Sequence, residues 1–481
     1  MKNLKKYYIY IIFMFIAIGI CMRLTTSPLF NYTGIDGSVF LYTARGITNG
    51  KAVYSQIFDH KGPLIYLINC IATIMDNEFL GIWIIEIIAV FIDICLLYKI
   101  SKIFLKEDSL KAVLATIISI SPLVMYFQEG NFTEEYAISF ILGALYLFIK
   151  IMRKDYNGNK KEFFLIGLFL GEVLMLRPNM IVVWVVYYIF YLIEFCKQKR
   201  IKEFFLKTAL YGALGLITAI LPFFIYLICV DAFHDFINEY IIFNFSYSEA
   251  KSYTYSMVIH FFIKQSKVFL FSLIINLLYM FLAIKRYKEE RKVIITSFLF
   301  SIFSFLIVIQ PCNTYLHYAI ILIPCIIIPI TLLIRKIKNE IVLIILLCIT
   351  ILIITNKETR IIKEQLNSKY INSSKQIVEQ IENNTEYNDK ISVLGNNCLI
   401  YLLSNRESAT RYPYQLPIAN IDKNIQKEFI KQLENEKPKM IINLMNGNGE
   451  FQTKIKEYLE EKLEMEEYKQ INEIMYVFGE Y

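Results

Sequence analysis

The sequence predicts a mainly α fold: a polytopic helical membrane bundle of about 11 transmembrane helices, with interfacial helices in the first outer loop and a small C-terminal extracytoplasmic α/β domain. Three observations predict it. Hydrophobic residues make up 56% of 481, and the mean hydropathy of +0.46 exceeds what a soluble core needs. Apolar stretches of roughly 16 to 25 residues recur from Tyr7 to Thr355, each able to cross about 30 Å of hydrocarbon as a helix. After Asn356 the charge rises and the apolar runs shorten.

In chain order the expected spans are Tyr7–Met22, Phe79–Tyr98, Ala112–Phe127, Glu135–Ile149, Phe163–Leu176 and Met180–Phe195. They continue with Phe205–Val230, Val268–Ile284, Val293–Ile309, His317–Ile334 and Ile341–Thr355. Alternate connections are rich in Lys and Arg, as in Lys2, Lys5 and Lys6, Lys99 to Lys111, Lys150 to Lys161, Lys197 to Lys207, Lys285 to Lys292 and Arg335 to Lys338. Basic flanks stay in the cytoplasm, so the N-terminus is expected inside and residues Asn356 to Tyr481 outside. That tail holds 17 Lys+Arg against 20 Asp+Glu, so the net charge of +7 reports topology and makes no case for nucleic acid. The first helix has the basic start of a signal sequence without a small-x-small cleavage site, and reads as a retained anchor. Nine scattered cysteines with no Cys-x-x-Cys indicate neither a disulfide framework nor a zinc site.

The polar residues are spent in the outer loops. The first, Arg23 to Glu78, is far longer than a helix connection needs. Within it Ser38 to Gly46 has helical apolar spacing, Asn49-Gly50 marks a turn, and Pro63 suits the first turn of a second helix over Leu64 to Met75. Two surface helices would hold Asp36 and Asp59-His60-Lys61 at headgroup level. The second loop, Gln128 to Tyr136, places Glu129, Glu134 and Glu135 at a helix mouth, where Thr133 is a candidate cap and the acids complement the helix dipole. Arg177, in Arg177-Pro178-Asn179, seeks either an anionic partner in a site or a headgroup. The fourth segment, Asp231 to Ser256, reads as an interfacial lid whose tyrosines are membrane-belt anchors before they are substrate contacts. In the fifth, Tyr315 and His317 stand where they could reach a phosphate.

In the tail, Ile391–Leu394, Met440–Leu444 and Met475–Phe478 read as strands, with amphipathic helices over Ile425–Leu433 and Ile455–Leu463. Leu394-Gly395-Asn396-Asn397 has the look of a strand-to-helix turn without a nucleotide fingerprint. Thr410-Arg411-Tyr412 reads as a surface loop rather than a segment dipping toward the membrane.

With these residues in view, Asp36-Gly37-Ser38, Asn49-Gly50 and Asp59-His60-Lys61-Gly62-Pro63-Leu64 resemble the first outer loop of the multi-spanning glycosyltransferases of superfamily C (GT-C). The likeness is to the bacterial members of glycosyltransferase family 39, with the aminoarabinose transferase of lipid A and the protein O-mannosyltransferases. Glu134-Glu135-Tyr136, Arg177-Pro178-Asn179, Tyr315 to Tyr318 and Ser408 to Tyr412 extend it along most of the chain. The resemblance implies a catalytic domain over residues 1–355, a soluble domain over 356–481, and transfer of a sugar from a polyprenyl-phosphate donor to an envelope acceptor hydroxyl, usually with inversion. It implies Asp36 as general base and Lys61 as the phosphate-binding lysine, and chemistry adds Arg177, His60, His317 and Tyr315 around the donor phosphate. Asp59, Glu134 and Glu135 are candidates to orient the acceptor or hold a divalent cation, a point on which the superfamily varies. Residue-level alternatives stand beside these roles: Asp36 as a helix cap, and Lys61 snorkelling to the headgroups. Gly37 departs from relatives that carry a second acid there, which puts a paired-carboxylate mechanism in doubt. The competing functional classes are a transporter or flippase, for which Glu86, Asp93 and Glu172 are the main intramembrane acids, and a non-enzymatic envelope scaffold.

Overall fold

The computed structural model describes residues 2–106, 108–127, 129–249, 253–265, 267–447 and 449–479. Gln128 of the second loop, residues 250–252 of the fourth segment, and the terminal Met1, Glu480 and Tyr481 of the expected domains lie outside the described residues. Helices stand at all eleven expected spans: Lys2–Cys21, Glu78–Leu105, Ser109–Ile120 continued by Leu123–Tyr126, Thr133–Met152, Lys160–Leu174 and Val182–Lys197 among them. Leu210–Cys229, Lys267–Arg286, Arg291–Ile309, Ile323–Ile334 and Glu340–Leu366 complete the set. Among the described residues, seven helices are long and apolar enough to cross a membrane by length and composition.

The first loop forms two helices, Ile35–Thr48 and Pro63–Ala72. Gly34 occupies the N-cap of the first with no side-chain cap, so Asp36 sits inside the first turn and is not the N-cap. Pro63 opens the second, where its missing N–H leaves nothing unpaired. The preceding Gly62 has a specific job. Gly62 N donates to Leu176 O at 3.2 Å and Leu64 N to Met175 O at 3.0 Å, so the two backbones run in contact. A Cβ at Gly62 would fall 2.0 Å from Met175 O, which is why only glycine fits between Lys61 and Pro63.

Under the loops lies a polar layer. Glu86 accepts from Thr26 Oγ1 at 2.5 Å and Asn131 N at 2.8 Å, and Asn69 and Asn131 exchange hydrogen bonds at 2.8 and 3.2 Å. These bonds satisfy groups that burial would otherwise penalise.

The tail folds as a five-stranded sheet ordered β2-β1-β3-β5-β4, with β1 Lys390–Leu394, β2 Glu407–Ser408, β3 Met440–Asn443, β4 Tyr468–Asn472 and β5 Met475–Phe478. β1 pairs in parallel with β2 and β3, and β5 pairs antiparallel with β3 and β4. The sheet region caps the end of the bundle that carries the first loop. Tyr42 OH accepts from Ser408 N at 2.8 Å, Phe58 N donates to Arg411 O at 2.7 Å, and Arg45 donates to Leu402 O at 3.1 Å.

One segment reverses its expectation. Ala409, Thr410 and Tyr412 are buried, and Arg411 pairs with Glu239 of the fourth segment while donating to Tyr54 O at 2.5 Å. Thr410-Arg411-Tyr412 is therefore no surface loop. A guanidinium with a buried carboxylate and two aromatic faces, Phe58 and Tyr412, at hand is held deep by charge and by cation–π contact.

Candidate active site

Five outer loops and the tail meet at one cavity. Asp36, Asp59, His60, Lys61, Glu134, Arg177, Tyr315 and His317 all line it. Glu135 does not. Its Oε2 accepts from Phe132 N at 3.3 Å, so it caps its own helix below the cavity.

Asp36 projects from the first turn of helix Ile35–Thr48, and its side chain is 42% exposed. His317 Nε2 lies 3.9 Å from its Oδ2. The imidazole is sandwiched: Phe132 stacks on it at 4.3 Å and Tyr318 meets it edge-on at 4.9 Å, so the ring is fixed in place beside the carboxylate. The side chain that a second acid at position 37 would need has no room. A Cβ there would lie 2.3 Å from Thr33 Oγ1, with Asn131 close behind, which explains the Asp-Gly departure in steric terms.

Asp59 is the opposite kind of carboxylate, 1% exposed and fully engaged. Oδ1 accepts from His60 N at 2.7 Å and Tyr414 OH at 2.8 Å, and Oδ2 from Tyr66 OH at 2.8 Å. Burial raises its pKa, opposed by Lys61 and by these donors. His60 Nδ1 faces Asn244 Oδ1 at 3.1 Å, which assigns the proton to Nδ1 and leaves Nε2 to accept from Lys61 Nζ at 3.0 Å. Burial, reinforced by the Lys61 charge, holds His60 well below the usual histidine pKa, consistent with a neutral acceptor. Lys61 is itself pulled down by burial, with Asp59 opposing and Arg177 adding to the fall. The ammonium is aimed by His60 and steadied by Asp59.

Arg177 forms an ion pair with Glu134 and lies 4.4 Å over the Tyr318 ring. Glu134 also accepts from Thr133 Oγ1 at 2.9 Å. The Arg177 loop and the Lys61 loop are the two backbones stitched at Gly62, so two cations come to one wall.

The cavity continues in two directions. Past Lys61 and Arg177 it opens to a space of about 1040 Å³ lined by Leu176, Pro178, Tyr240, Ile241, Phe245 and Pro311 among others, a largely apolar surface. Past Asp36 and His317 it opens to about 1380 Å³ lined by Arg23, Glu129, Lys357, Glu364, Gln365 and Asn396 among others. Asp36 on one side, and Lys61 and Arg177 on the other, thus face separate chambers.

As a cation site the three carboxylates do not fit. Asp59 and Glu134 are occupied by protein donors, Glu135 lies outside, and among the described residues no three His, Cys, Asp or Glu side chains cluster as metal ligands. Tyr414, Asn396 and Pro417 of the tail also line the central cavity, and the sequence reading missed all three. The signal present in the sequence was the Ser408 to Tyr412 likeness, just ahead of Tyr414.

A family model described as "Putative competence-induced protein Ccs4 N-terminal domain" matches residues 1–355. No curated protein matches the chain. Among solved structures, the chain is similar to ArnT from Cupriavidus metallidurans bound to undecaprenyl phosphate, at 10% identity and a TM-score of 0.67 over 98% of this chain and 99% of that one. The apo state of that protein gives 10% identity and 0.60 over 92% and 93%. An oligosaccharyltransferase from Archaeoglobus fulgidus in complex with Zn and sulfate gives 12% and 0.50 over 90% and 67%. The fold is thus that of these solved membrane proteins, and the apolar helices among the described residues fit a multi-pass membrane chain.

Proposed function

The chain belongs to the Ccs4 N-terminal domain family, and we propose that it is a glycosyltransferase that moves a sugar from a polyprenyl-phosphate donor to an acceptor hydroxyl, with inversion. One observation carries this reading: a half-exposed carboxylate and an aimed lysine face each other across one cavity, with an apolar chamber behind the lysine and a polar one behind the carboxylate. The apolar chamber suits a prenyl chain, and the neighbouring structure bound to undecaprenyl phosphate supports that class of donor.

The chemistry follows from the placement. Asp36 takes the proton of the acceptor hydroxyl as that oxygen bonds to the anomeric carbon. The bond from the anomeric carbon to the phosphate oxygen breaks, its electron pair stays on the phosphate, and the Lys61 ammonium meets the charge that develops. Because Glu134 offsets Arg177, Lys61 is the principal phosphate partner, and Tyr315 and His317 complete the wall between the two substrates. Asp59 and His60 act through Lys61. Asp36 then returns its proton to water through the polar chamber.

Residues 1–355 form the membrane part in this reading and 356–481 the soluble part outside, with the N-terminus in the cytoplasm, as the basic loops require. A transporter would need its ionisable groups at a midplane pathway, whereas Glu86 is spent on Thr26 and Asn131.

The test uses the full-length protein in lipid nanodiscs with undecaprenyl phosphate and an undecaprenyl-phosphate-linked hexose. Saturable binding of both, and release of the hexose in the presence of a hydroxylic acceptor, is the expected result. A protein that binds neither lipid is not this enzyme.

A further inference from the structure

The turn Leu394-Gly395-Asn396-Asn397 leaves β1 and comes down onto the cavity. Both neighbours of Asn396 are consumed by the fold. Gly395 N donates to Gln415 Oε1 at 2.9 Å, and its carbonyl accepts from Gln415 N at 2.9 Å and Leu416 N at 3.3 Å. Asn397 accepts from Tyr370 OH at 3.0 Å and donates to Ser374 Oγ at 3.1 Å. The turn is held on either side and needs nothing from Asn396.

Asn396 nonetheless has its Oδ1 buried without a hydrogen-bond partner, and it lines both the central cavity and the polar chamber. A buried amide oxygen left without a donor is destabilising, and a ligand hydroxyl at the cavity would supply the missing partner. An amide both donates and accepts, and a hydroxyl does the same. A phosphate only accepts, and it would find its cations, Lys61 and Arg177, on the far wall. Nearer to hand, the acids Asp36, Glu129 and Glu364 outnumber the cations Arg23 and Lys357, so this corner has no positive excess to draw an anion.

We propose that Asn396 is a substrate-binding residue that hydrogen-bonds a sugar or polyol hydroxyl beside Asp36, so that the sheet region selects which hydroxyl is presented. This rests on the glycosyl-transfer reading of the same cavity. The hydroxyl belongs either to the donor sugar or to the acceptor, and the arms of the test separate these sources.

The experiment compares wild-type protein with Asn396→Ala in nanodiscs, using bare undecaprenyl phosphate, its hexose-linked form, and a panel of methyl hexopyranosides read by saturation-transfer NMR. Asn396→Ala should bind the bare carrier within about twofold of wild type and lose about 3- to 10-fold, the worth of one neutral hydrogen bond, toward one hydroxylated probe. Loss confined to the hexose-linked carrier assigns the donor sugar, and loss confined to a methyl glycoside assigns the acceptor. Thermal stability of Asn396→Ala should be equal or higher, because no native bond is broken. A marked fall in its thermal midpoint, or unchanged affinity for both hydroxylated probes with the carrier still bound, overturns the proposal alone. Failure of the wild type to bind the bare carrier overturns the transfer reading instead.

Discussion

Asp36 and Asp59 are both first-loop carboxylates, and the fold employs them in opposite ways. Asp59 is surrounded by donors, whereas Asp36 has His317 Nε2 3.9 Å away and a large exposed face, so of the two it is Asp36 that suits the base of the proposed transfer. Asp36→Asn should fold normally and bind donor as the wild type does, while hexose transfer slows by about 10²- to 10⁴-fold. Unchanged turnover would return Asp36 to a structural part. Lys61→Ala should weaken undecaprenyl phosphate binding by about 10- to 100-fold and lower turnover with it, since a charge-assisted contact to the leaving phosphate acts in both states. The sign of the pH dependence follows from Lys61. A depressed lysine pKa means the ammonium is lost below its ordinary value of 10.5, so carrier affinity should be full near neutrality and decline in the alkaline range before 10.5 is reached. A titration that stays flat up to that value would remove Lys61 from the phosphate. That both residues line one cavity was legible in the sequence through motif and loop placement. The idle Asn396 amide was not, because an unpaired atom is a property of packing and leaves no mark in composition.

At the scale of elements, the loops are registered to each other by backbone as much as by side chains. Gly62 is the stitch between the Lys61 loop and the Arg177 loop, so Gly62→Ala should cost about 1–3 kcal/mol by forcing the two strands apart and should weaken carrier binding without touching a charge. Gly19, with nothing within 4 Å of its added Cβ, supplies the control: Gly19→Ala should leave both stability and binding alone. The buried segment Ser408 to Pro417 works similarly from the other side. Tyr414→Phe removes a donor from a buried carboxylate, and a loss of about 1–3 kcal/mol is expected in thermal or denaturant unfolding. An unaffected midpoint would mean that Tyr66 and His60 N suffice for Asp59. The membrane helices and surface helices were readable from apolar runs, Pro63 and Asn49-Gly50. β4, whose exposed pattern carries no alternation, and the descent of Thr410-Arg411-Tyr412 were not, since the latter depends on Glu239, about 170 residues earlier.

At the scale of the whole molecule, orientation decides which side of the membrane the cavity faces. A cysteine placed at Lys456, whose side chain is 76% exposed, should react with a membrane-impermeant maleimide on intact cells above the wild-type background. Labelling only after permeabilisation would invert the topology and move the site to the other side. The apolar helices were legible from hydropathy, and strands β1, β3 and β5 and the amphipathic helices of the tail from its rising charge and shorter apolar runs. Their joint ownership of the cavity was not, since it arises where helix Glu340–Leu366 carries the chain over the loops and the sheet folds back on them. That shared ownership has a bearing on biogenesis. A chain made only as far as residue 355 already holds Asp36 and Lys61, yet Asp59 lacks one of its donors and the cavity lacks part of its wall until Tyr414 and Pro417 have folded onto it. Synthesis order therefore leaves the cavity open on its tail side until the last quarter of the chain has folded onto it.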